Sequence, residues 1–276
     1  NSVTKANISV KVTDEFMKAV INEDYYDLTF VRPETNEEIV KRVFAPDIFK
    51  KLCENNWNYA EPGILYWDNI REYNLLEYDD EFEYAGVNPC AEEPLPAGGS
   101  CLLGSMNLAA FVGEDEWGPK FEYEEFEDAV ELAVVALNEV LDEGLPLHPL
   151  EEQRKSVGEW RQIGLGIFGL ADMLIKLGYT YGTRDAKILC HKIGRTMTTA
   201  ALRSSAKLAV TDGAYPKFKK NEVMNSKFFN EHFDDETWKL VDIYGLRNSQ
   251  LLTIAPTGSL STMLGVSGGI EPIFDT

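Results

Sequence analysis

Residues 88–108 read NPCAEEPLPAGGSCLLGSMNL and form the segment of this chain richest in reactive side chains. Cys90 lies between the amide of Asn88 and the carboxylate of Glu92. A second cysteine, Cys101, follows eleven residues later, beyond a Pro/Gly-rich stretch. This combination of thiol, amide and carboxylate groups predicts a site of redox or proton-transfer chemistry.

The backbone around Cys90 is predicted to be an extended loop tip. Pro89 lacks a backbone donor and biases Asn88 away from helical geometry. Alternate side chains of an extended segment face the same way, so Asn88, Cys90 and Glu92 are expected on one side. A nearby carboxylate raises the pKa of a thiol and so disfavours a thiolate nucleophile. A sulfur that reacts as a neutral thiol or as a radical fits this setting better.

Three other interpretations of Cys90 compete with this one. A free cysteine is commonly a small buried apolar residue. A metal site would need two further ligands, and neither a CxxC pair nor a paired histidine is present, so no metal is predicted. A cysteine hydrolase would need a neighbouring histidine, and the three histidines are all distant in sequence: His148, His191 and His232.

The second cysteine follows a predicted turn at residues 94–99. This turn is expected to fold the chain back like a hairpin and to bring Cys101 near Cys90. Two close sulfurs would suit thiol exchange or electron delivery. The spacing alone does not establish that they touch.

Composition excludes several classes of protein. The chain has 276 residues, 44% of them hydrophobic, and a net charge of −20, which disfavours nucleic-acid binding. No apolar run is long enough for a membrane span and no signal peptide is visible, so a cytoplasmic location is predicted. Four cysteines are too few for a structural disulfide framework.

Hydrophobic periodicity predicts an α/β fold. The N-terminal strand contains Ile8, Val10 and Val12, and Thr13 or Asp14 is predicted to cap the helix after it. Further helices are predicted at residues 126–141, 167–177 and 185–210, and a buried strand at 250–255.

The sequence GLGIFG contains three glycines at GxGxxG spacing: Gly164, Gly166 and Gly169. The preceding residues are polar, so a dinucleotide-binding turn is disfavoured and close helix packing is the preferred explanation.

The segment PTGSLS directly follows the predicted strand at 250–255. Its backbone amides and hydroxyl groups predict a phosphate-binding loop made of four residues: Pro256, Thr257, Gly258 and Ser259. The alternative is a plain turn with a Ser/Thr helix cap.

Taken together, these segments resemble the large catalytic subunit of ribonucleotide reductases. Six stretches carry the resemblance in the family's order: residues 7–17, 88–95, 100–108, 161–179, 252–261 and 265–274. The short gap between Cys90 and Cys101 is most similar to the class II, adenosylcobalamin-dependent branch, with class I as the alternative.

The resemblance implies a role for each residue of the site. Cys90 would become a thiyl radical that abstracts the ribose 3′ hydrogen, and Glu92 would take the 3′ hydroxyl proton. Asn88 would hydrogen-bond the sugar hydroxyl groups. Cys101 would be one of the two cysteines that reduce the 2′ position and form a disulfide. The PTGS loop would hold the substrate phosphates.

The resemblance also implies the architecture and the partners. The family fold is a ten-stranded α/β barrel with the catalytic cysteine on an interior loop. Residues 1–276 are expected to be one partial barrel domain, truncated at both ends, and inactive in isolation. The expected partners are a ribonucleoside di- or triphosphate, thioredoxin or glutaredoxin, the rest of the parent chain and a second copy in a homodimer. A catalytically silent nucleotide-binding or assembly fragment is the alternative.

Overall fold

The computed structural model describes residues 6–273, and its strands and helices fall into two compact units that meet in sequence at Tyr73 and Asn74. That residues 1–276 make one domain of a larger barrel stays a prediction. None of the described helices combines the length and apolar character needed to cross a membrane.

From residue 6 onward, the first unit contains two strand pairs and three helices. Its elements are β1 (Ser9–Val12), α1 (Asp14–Ile21), β2 (Tyr25–Val31), β3 (Glu38–Phe44), α2 (Ala45–Tyr59), β4 (Gly63–Tyr66) and α3 (Trp67–Glu72). β1 pairs with β4 in parallel, and β2 pairs with β3 antiparallel. The predicted helix cap is confirmed, because Thr13 Oγ1 accepts a hydrogen bond from the Phe16 amide at 3.2 Å. Of the alternating apolar residues in the first strand, Val12 is buried, whereas Ile8 and Val10 are exposed.

The second unit holds the remaining strands and helices. Its strands are β5 (Gly86–Val87), β6 (Pro94–Leu95), β7 (Leu103–Asn107), β8 (Val112–Asp115), β9 (Gly118–Phe121) and β10 (Gly164–Phe168). Its α-helices are α4 (Tyr123–Gly144), α5 (Glu151–Trp160), α6 (Leu170–Lys176), α7 (Arg184–Asp212), α8 (Lys220–Asn225), α9 (Lys227–His232), α10 (Asp235–Tyr244) and α11 (Gly258–Leu264). Short 3₁₀ turns lie at Leu108–Phe111 and Leu145–Leu147.

The two longest helices, α4 and α7, confirm two of the predicted helices. The apolar face of α4 is buried at four positions with helical spacing: Phe126, Val130, Val134 and Leu137. α7 presents small buried residues, and Ser204 Oγ donates to the carbonyl oxygen of Glu131 on α4 at 2.9 Å. α7 ends at Gly213, as the sequence predicts.

The helix predicted at residues 167–177 is wrong at its start, because residues 164–168 form the buried strand β10. A Cβ atom at Gly164 would lie 2.5 Å from Thr253 Cγ2, and one at Gly166 would collide with the Thr253 carbonyl oxygen. Gly164 and Gly166 therefore let the segment that carries Thr253 approach β10, which differs from the helix packing predicted for them.

Three parallel segments lie side by side around β10. β7 pairs with β10 in register from Leu103 opposite Gly164. On the other side, Leu165 donates to the Leu251 carbonyl at 2.8 Å and accepts from the Thr253 amide at 3.1 Å. The predicted strand at residues 250–255 is thus reduced to one bridge between Leu165 and Leu252. The parallel pairs with intervening helices confirm the α/β class, although within residues 6–273 the strands pair two by two and close no barrel.

A buried amide cluster fixes the start of residues 248–255. Asn248 and Asn138 exchange two side-chain hydrogen bonds of 3.0 Å each. Asn248 also donates to the Arg161 carbonyl at 2.9 Å and accepts from Ser205 Oγ at 3.0 Å. The cluster therefore ties this segment to both α4 and α7.

The variant Asn248→Ala should lower the free energy of unfolding by about 3 kcal/mol, because it strands the buried polar groups of Asn138 and Ser205. Urea unfolding of the full-length protein measures the change. The matched variant Asn221→Ala removes an exposed amide on α8 and should leave stability within about 0.5 kcal/mol. Equal stability of the two variants would contradict the structural role of the cluster.

Candidate active site

The Cys90 loop is a tight hairpin tip between β5 and β6. Gly86 pairs with Leu95, and residues 88–93 form the connection. Asn88 closes the loop through three hydrogen bonds. Its amide donates to the Glu93 carbonyl at 3.2 Å, its Oδ1 accepts from the Glu93 amide at 3.0 Å, and its carbonyl accepts from the Ala91 amide at 2.9 Å.

The extended backbone predicted for this loop is wrong. The bond from the Ala91 amide to the Asn88 carbonyl defines a β-turn, and Ala91 has a left-handed φ of 69°. Asn at the first position and Pro at the second are favoured in such turns, because the amide side chain bonds the backbone and Pro presets φ. The alternation argument that placed Asn88, Cys90 and Glu92 on one side therefore does not hold. Cys90 is exposed at the tip.

The chain reversal also differs from the one predicted. Residues 94 and 95 belong to β6, so the main reversal occurs at residues 88–93. A second turn follows, closed by the Gly99 amide on the Pro96 carbonyl at 3.0 Å. Cys101 then precedes β7, and its Sγ lies 4.0 Å from Nδ2 of Asn88.

Cys101 is the thiol most affected by its surroundings. The residue as a whole is exposed, but its sulfur lies against the loop, and this partial burial raises the pKa of the Cys101 thiol to about 12. A hydrogen bond with Glu93 and the negative charges of Glu93 and Glu92 act in the same direction, as does Cys90. The two cysteines are therefore electrostatic neighbours, and at neutral pH Cys101 is a thiol and not a nucleophilic thiolate.

Glu93 is a site residue that the sequence did not reveal. It is 5% exposed, and burial raises the pKa of its carboxyl group, an effect that the charge of Glu92 reinforces and the hydrogen bond with Cys101 opposes. One oxygen of each carboxylate, Oε2 of Glu92 and Oε2 of Glu93, is buried without a hydrogen-bond partner among residues 6–273. Buried acceptors of this kind are costly unless a partner satisfies them.

Thr253 is a second site residue that the sequence does not single out. Its Oγ1 donates to the carbonyl oxygen of Glu92 at 2.6 Å and so anchors the Cys90 loop to the segment beside β10. The sequence signal for Thr253 is a hydroxyl residue within the otherwise apolar stretch LLTIA. The structure shows that this residue is buried.

The PTGS segment begins three residues after Thr253. Thr257 adopts a left-handed backbone with φ of 52°, and α11 starts at Gly258. The alternative of a simple Ser/Thr cap does not describe it, because Thr257 Oγ1 accepts from the distant Gly269 amide at 3.0 Å and makes no cap bond to α11. Gly258 and Ser259 are exposed, and first-turn amides of a helix have no acceptor within the helix.

A cavity of about 290 Å³ adjoins the segment that carries Cys101. Its lining includes Ser100, Leu102, Leu141, His148 and Gln162. The described residues contain no group of three or more His, Cys, Asp or Glu side chains arranged to hold a metal ion.

Comparison with known proteins places this site in a family. The sequence matches the ribonucleotide reductase barrel domain over residues 1–276. A vitamin B12-dependent ribonucleoside-diphosphate reductase of Thermoplasma acidophilum is 35% identical over 268 residues, which are 97% of this chain and 32% of the relative. The enzyme of the same name from Mycobacterium tuberculosis strain CDC 1551 is 32% identical over 97% of this chain and 35% of its own.

A vitamin B12-dependent ribonucleotide reductase of Streptomyces clavuligerus is 30% identical over 97% of this chain and 30% of its own. The chain thus spans about a third of the length of these curated relatives. The resemblance predicted from six sequence segments is confirmed, and the chain belongs to the ribonucleotide reductase family, in which it corresponds to the barrel domain.

Proposed function

We propose that this chain supplies the radical-initiating loop, and part of the reducing chemistry, of an enzyme that converts ribonucleotides to deoxyribonucleotides. The observation that carries the proposal is the hairpin closed by Asn88, which exposes Cys90 at its tip and whose Asn88 Nδ2 lies 4.0 Å from the sulfur of Cys101. A raised thiol pKa favours chemistry in which sulfur gives or takes a hydrogen atom over thiolate attack.

In this proposal the residues of the hairpin act on the ribose. The Cys90 thiyl radical takes the hydrogen atom from the 3′ carbon, and Glu92 takes the proton of the 3′ hydroxyl group. The buried, unpartnered Oε2 of Glu92 is a suitable acceptor for that proton. Asn88 hydrogen-bonds the sugar hydroxyl groups while its Oδ1 holds the loop closed.

Cys101 is proposed as one of two reducing cysteines. Two thiols together supply two electrons and two protons. The 2′ hydroxyl group leaves as water and hydrogen takes its place on the 2′ carbon. The two sulfurs then form a disulfide. Thioredoxin or glutaredoxin would then reduce the disulfide. The protonated state of Cys101 supports the reduction of the 2′ carbon, because a thiol carries both the proton and the electron that it must donate.

The substrate phosphates are proposed to bind at Pro256, Thr257, Gly258 and Ser259. The exposed backbone of Gly258 and Ser259 supports this role, and a Cβ at Gly258 would meet nothing within 4 Å, so the backbone is open to a ligand. Thr253 joins this loop to the carbonyl of Glu92.

Adenosylcobalamin is proposed as the cofactor of the complete protein, since the relatives are named vitamin B12-dependent. No step of the chemistry above is assigned to cofactor-binding residues of this chain.

The remaining features of the proposal concern the complete protein. The three parallel segments at β7, β10 and residues 251–253 support a place within the ten-stranded barrel, with the Cys90 loop inside it. The homodimer and the cytoplasmic location stay predictions.

The proposal predicts that the full-length protein forms deoxyribonucleotides from ribonucleoside di- or triphosphates when adenosylcobalamin and dithiothreitol are supplied. Chromatographic quantification of the deoxyribonucleotide product measures it, and the reaction without adenosylcobalamin is the control. Nucleotide binding without any product would instead support a catalytically silent nucleotide-binding protein of the same fold.

A further inference from the structure

The hydroxyl group of Thr253 bonds a carbonyl that is far away in sequence. A threonine hydroxyl commonly bonds a carbonyl of its own turn or helix, as Thr198 on α7 does to the Gly194 carbonyl at 2.8 Å. Thr253 Oγ1 instead donates to the Glu92 carbonyl at 2.6 Å, across 161 residues of sequence. Thr253 is only 6% exposed, so water competes little for this bond. The bond therefore links the Cys90 loop to the segment beside β10.

The main chain that carries this hydroxyl group is held on β10. The Thr253 amide donates to the Leu165 carbonyl at 3.1 Å, and the Leu165 amide donates to the Leu251 carbonyl at 2.8 Å. Gly166 leaves room for the Thr253 carbonyl oxygen, which a Cβ atom at that position would strike. The position of Thr253 is therefore set by a strand and not by the Cys90 loop itself.

Both branches of the Thr253 side chain are engaged. Its methyl carbon, Cγ2, lies over Gly164, where a Cβ atom would come within 2.5 Å of it. Its other branch is the hydroxyl group bonded to Glu92. A β-branched side chain has few χ1 rotamers, and contacts on both branches select one of them. The hydroxyl group is thus a fixed donor, and the Glu92 carbonyl has to meet it where it lies.

The Cys90 loop has its own internal hydrogen bonds. Asn88 and Glu93 close it, with the Asn88 amide on the Glu93 carbonyl at 3.2 Å and the Glu93 amide on Asn88 Oδ1 at 3.0 Å. These bonds set the shape of the turn. The bond from Thr253 ties that shape to β10 at Glu92, two residues after Cys90.

We propose that Thr253 is a positioning residue that holds the main chain of Glu92, and with it Cys90, in a fixed place relative to the loop proposed to bind the substrate phosphates. This inference rests on the proposed function of the Cys90 loop. Because Pro256 follows three residues after Thr253, one short segment carries both the anchor and the phosphate loop. A ribonucleotide held by its phosphates would then meet the thiol and the carboxylate in one geometry. A misplacement of about 1 Å in such a site can lower the rate about a hundredfold.

Hydrogen–deuterium exchange of the full-length protein tests the anchor without requiring turnover. The variants Thr253→Ala and Thr253→Ser differ by one hydroxyl group, and neither adds an atom against the Glu92 carbonyl. The amides of Ala91 and Glu93 are bonded inside the loop, so they exchange when the loop opens. Mass spectrometry of a peptide covering residues 88–95 should show exchange about three- to tenfold faster in Thr253→Ala than in Thr253→Ser. The serine variant should stay close to the unaltered protein.

A second pair of variants separates the anchor from a general loosening of the fold. Thr198 is 7% exposed, and its hydroxyl group also bonds a carbonyl, but within α7. Thr198→Ala and Thr198→Ser should therefore show the same exchange of the peptide at residues 88–95. Equal exchange of this peptide in Thr253→Ala and Thr253→Ser would overturn the proposal.

Steady-state kinetics then tests whether the anchor serves catalysis. In Thr253→Ala, kcat for deoxyribonucleotide formation should be about tenfold to a hundredfold lower than in Thr253→Ser. The KM for the ribonucleotide should change by no more than about twofold, because the bonds to Leu165 still hold the segment on β10. A raised KM with unaltered kcat would overturn the positioning role. If even the unaltered protein forms no product, the proposed function fails, whereas faster exchange in Thr253→Ala still supports the anchor.

Discussion

Replacing Cys90 with serine in the full-length protein should reduce deoxyribonucleotide formation to an undetectable level. Serine keeps the size of the side chain and the turn, but its O–H bond is too strong to lose a hydrogen atom, so the radical that abstracts the ribose hydrogen is not formed. Because Cys90 is exposed at the loop tip, the stability of the protein should change by no more than about 0.5 kcal/mol. The loss would therefore report chemistry and not unfolding.

The matched control is Cys53→Ser, which changes an exposed cysteine on α2 and should leave product formation unchanged. Equilibrium dialysis with the ribonucleotide should give the same affinity for Cys90→Ser and the unaltered protein, since the sulfur is not needed to hold the phosphates. Measurable turnover by Cys90→Ser would remove Cys90 from the role of radical initiator.

The sequence predicted those elements whose signals are local. Thr13 or Asp14 is predicted to cap a helix and Thr13 does so, and α4 and α7 are predicted because apolar residues recur at helical spacing over many turns. β10 was missed, because its five residues follow a polar segment and its burial depends on β7 and on residues 251–253, which are distant in sequence. A strand that is buried on both faces by distant segments shows no hydrophobic periodicity in its own sequence.

The candidate site divides in the same way. The residue types at Asn88, Cys90 and Glu92 predict a chemistry that stays a proposal, whereas the loop geometry predicted from alternation is wrong. The Asn-Pro pair was itself a turn signal, and the turn brings Glu93 back to Asn88. Since an extended chain would point Glu93 away from the other side chains, its burial beside Asn88 does not follow from the sequence.

Introducing a single methyl group at Gly166 should strongly destabilise the fold. The Cβ atom of Gly166→Ala would collide with the carbonyl oxygen of Thr253, a backbone atom that no rotamer change can move. The segment at residues 251–253 would have to separate from β10 and lose the hydrogen bonds it makes to Leu165. We expect the free energy of unfolding to fall by about 3 kcal/mol.

The same displacement should impair activity, because the Thr253 hydroxyl that anchors the Glu92 carbonyl moves with its backbone. The matched variant is Gly194→Ala, where a Cβ on α7 would meet nothing within 4 Å. That variant should gain about 0.5 to 1 kcal/mol, since alanine loses less conformational freedom than glycine in a helix. Urea unfolding of both full-length variants measures the contrast. If Gly166→Ala proved as stable as Gly194→Ala, the close approach of Thr253 to β10 would not exist in solution, and the anchoring of the Cys90 loop would need another explanation.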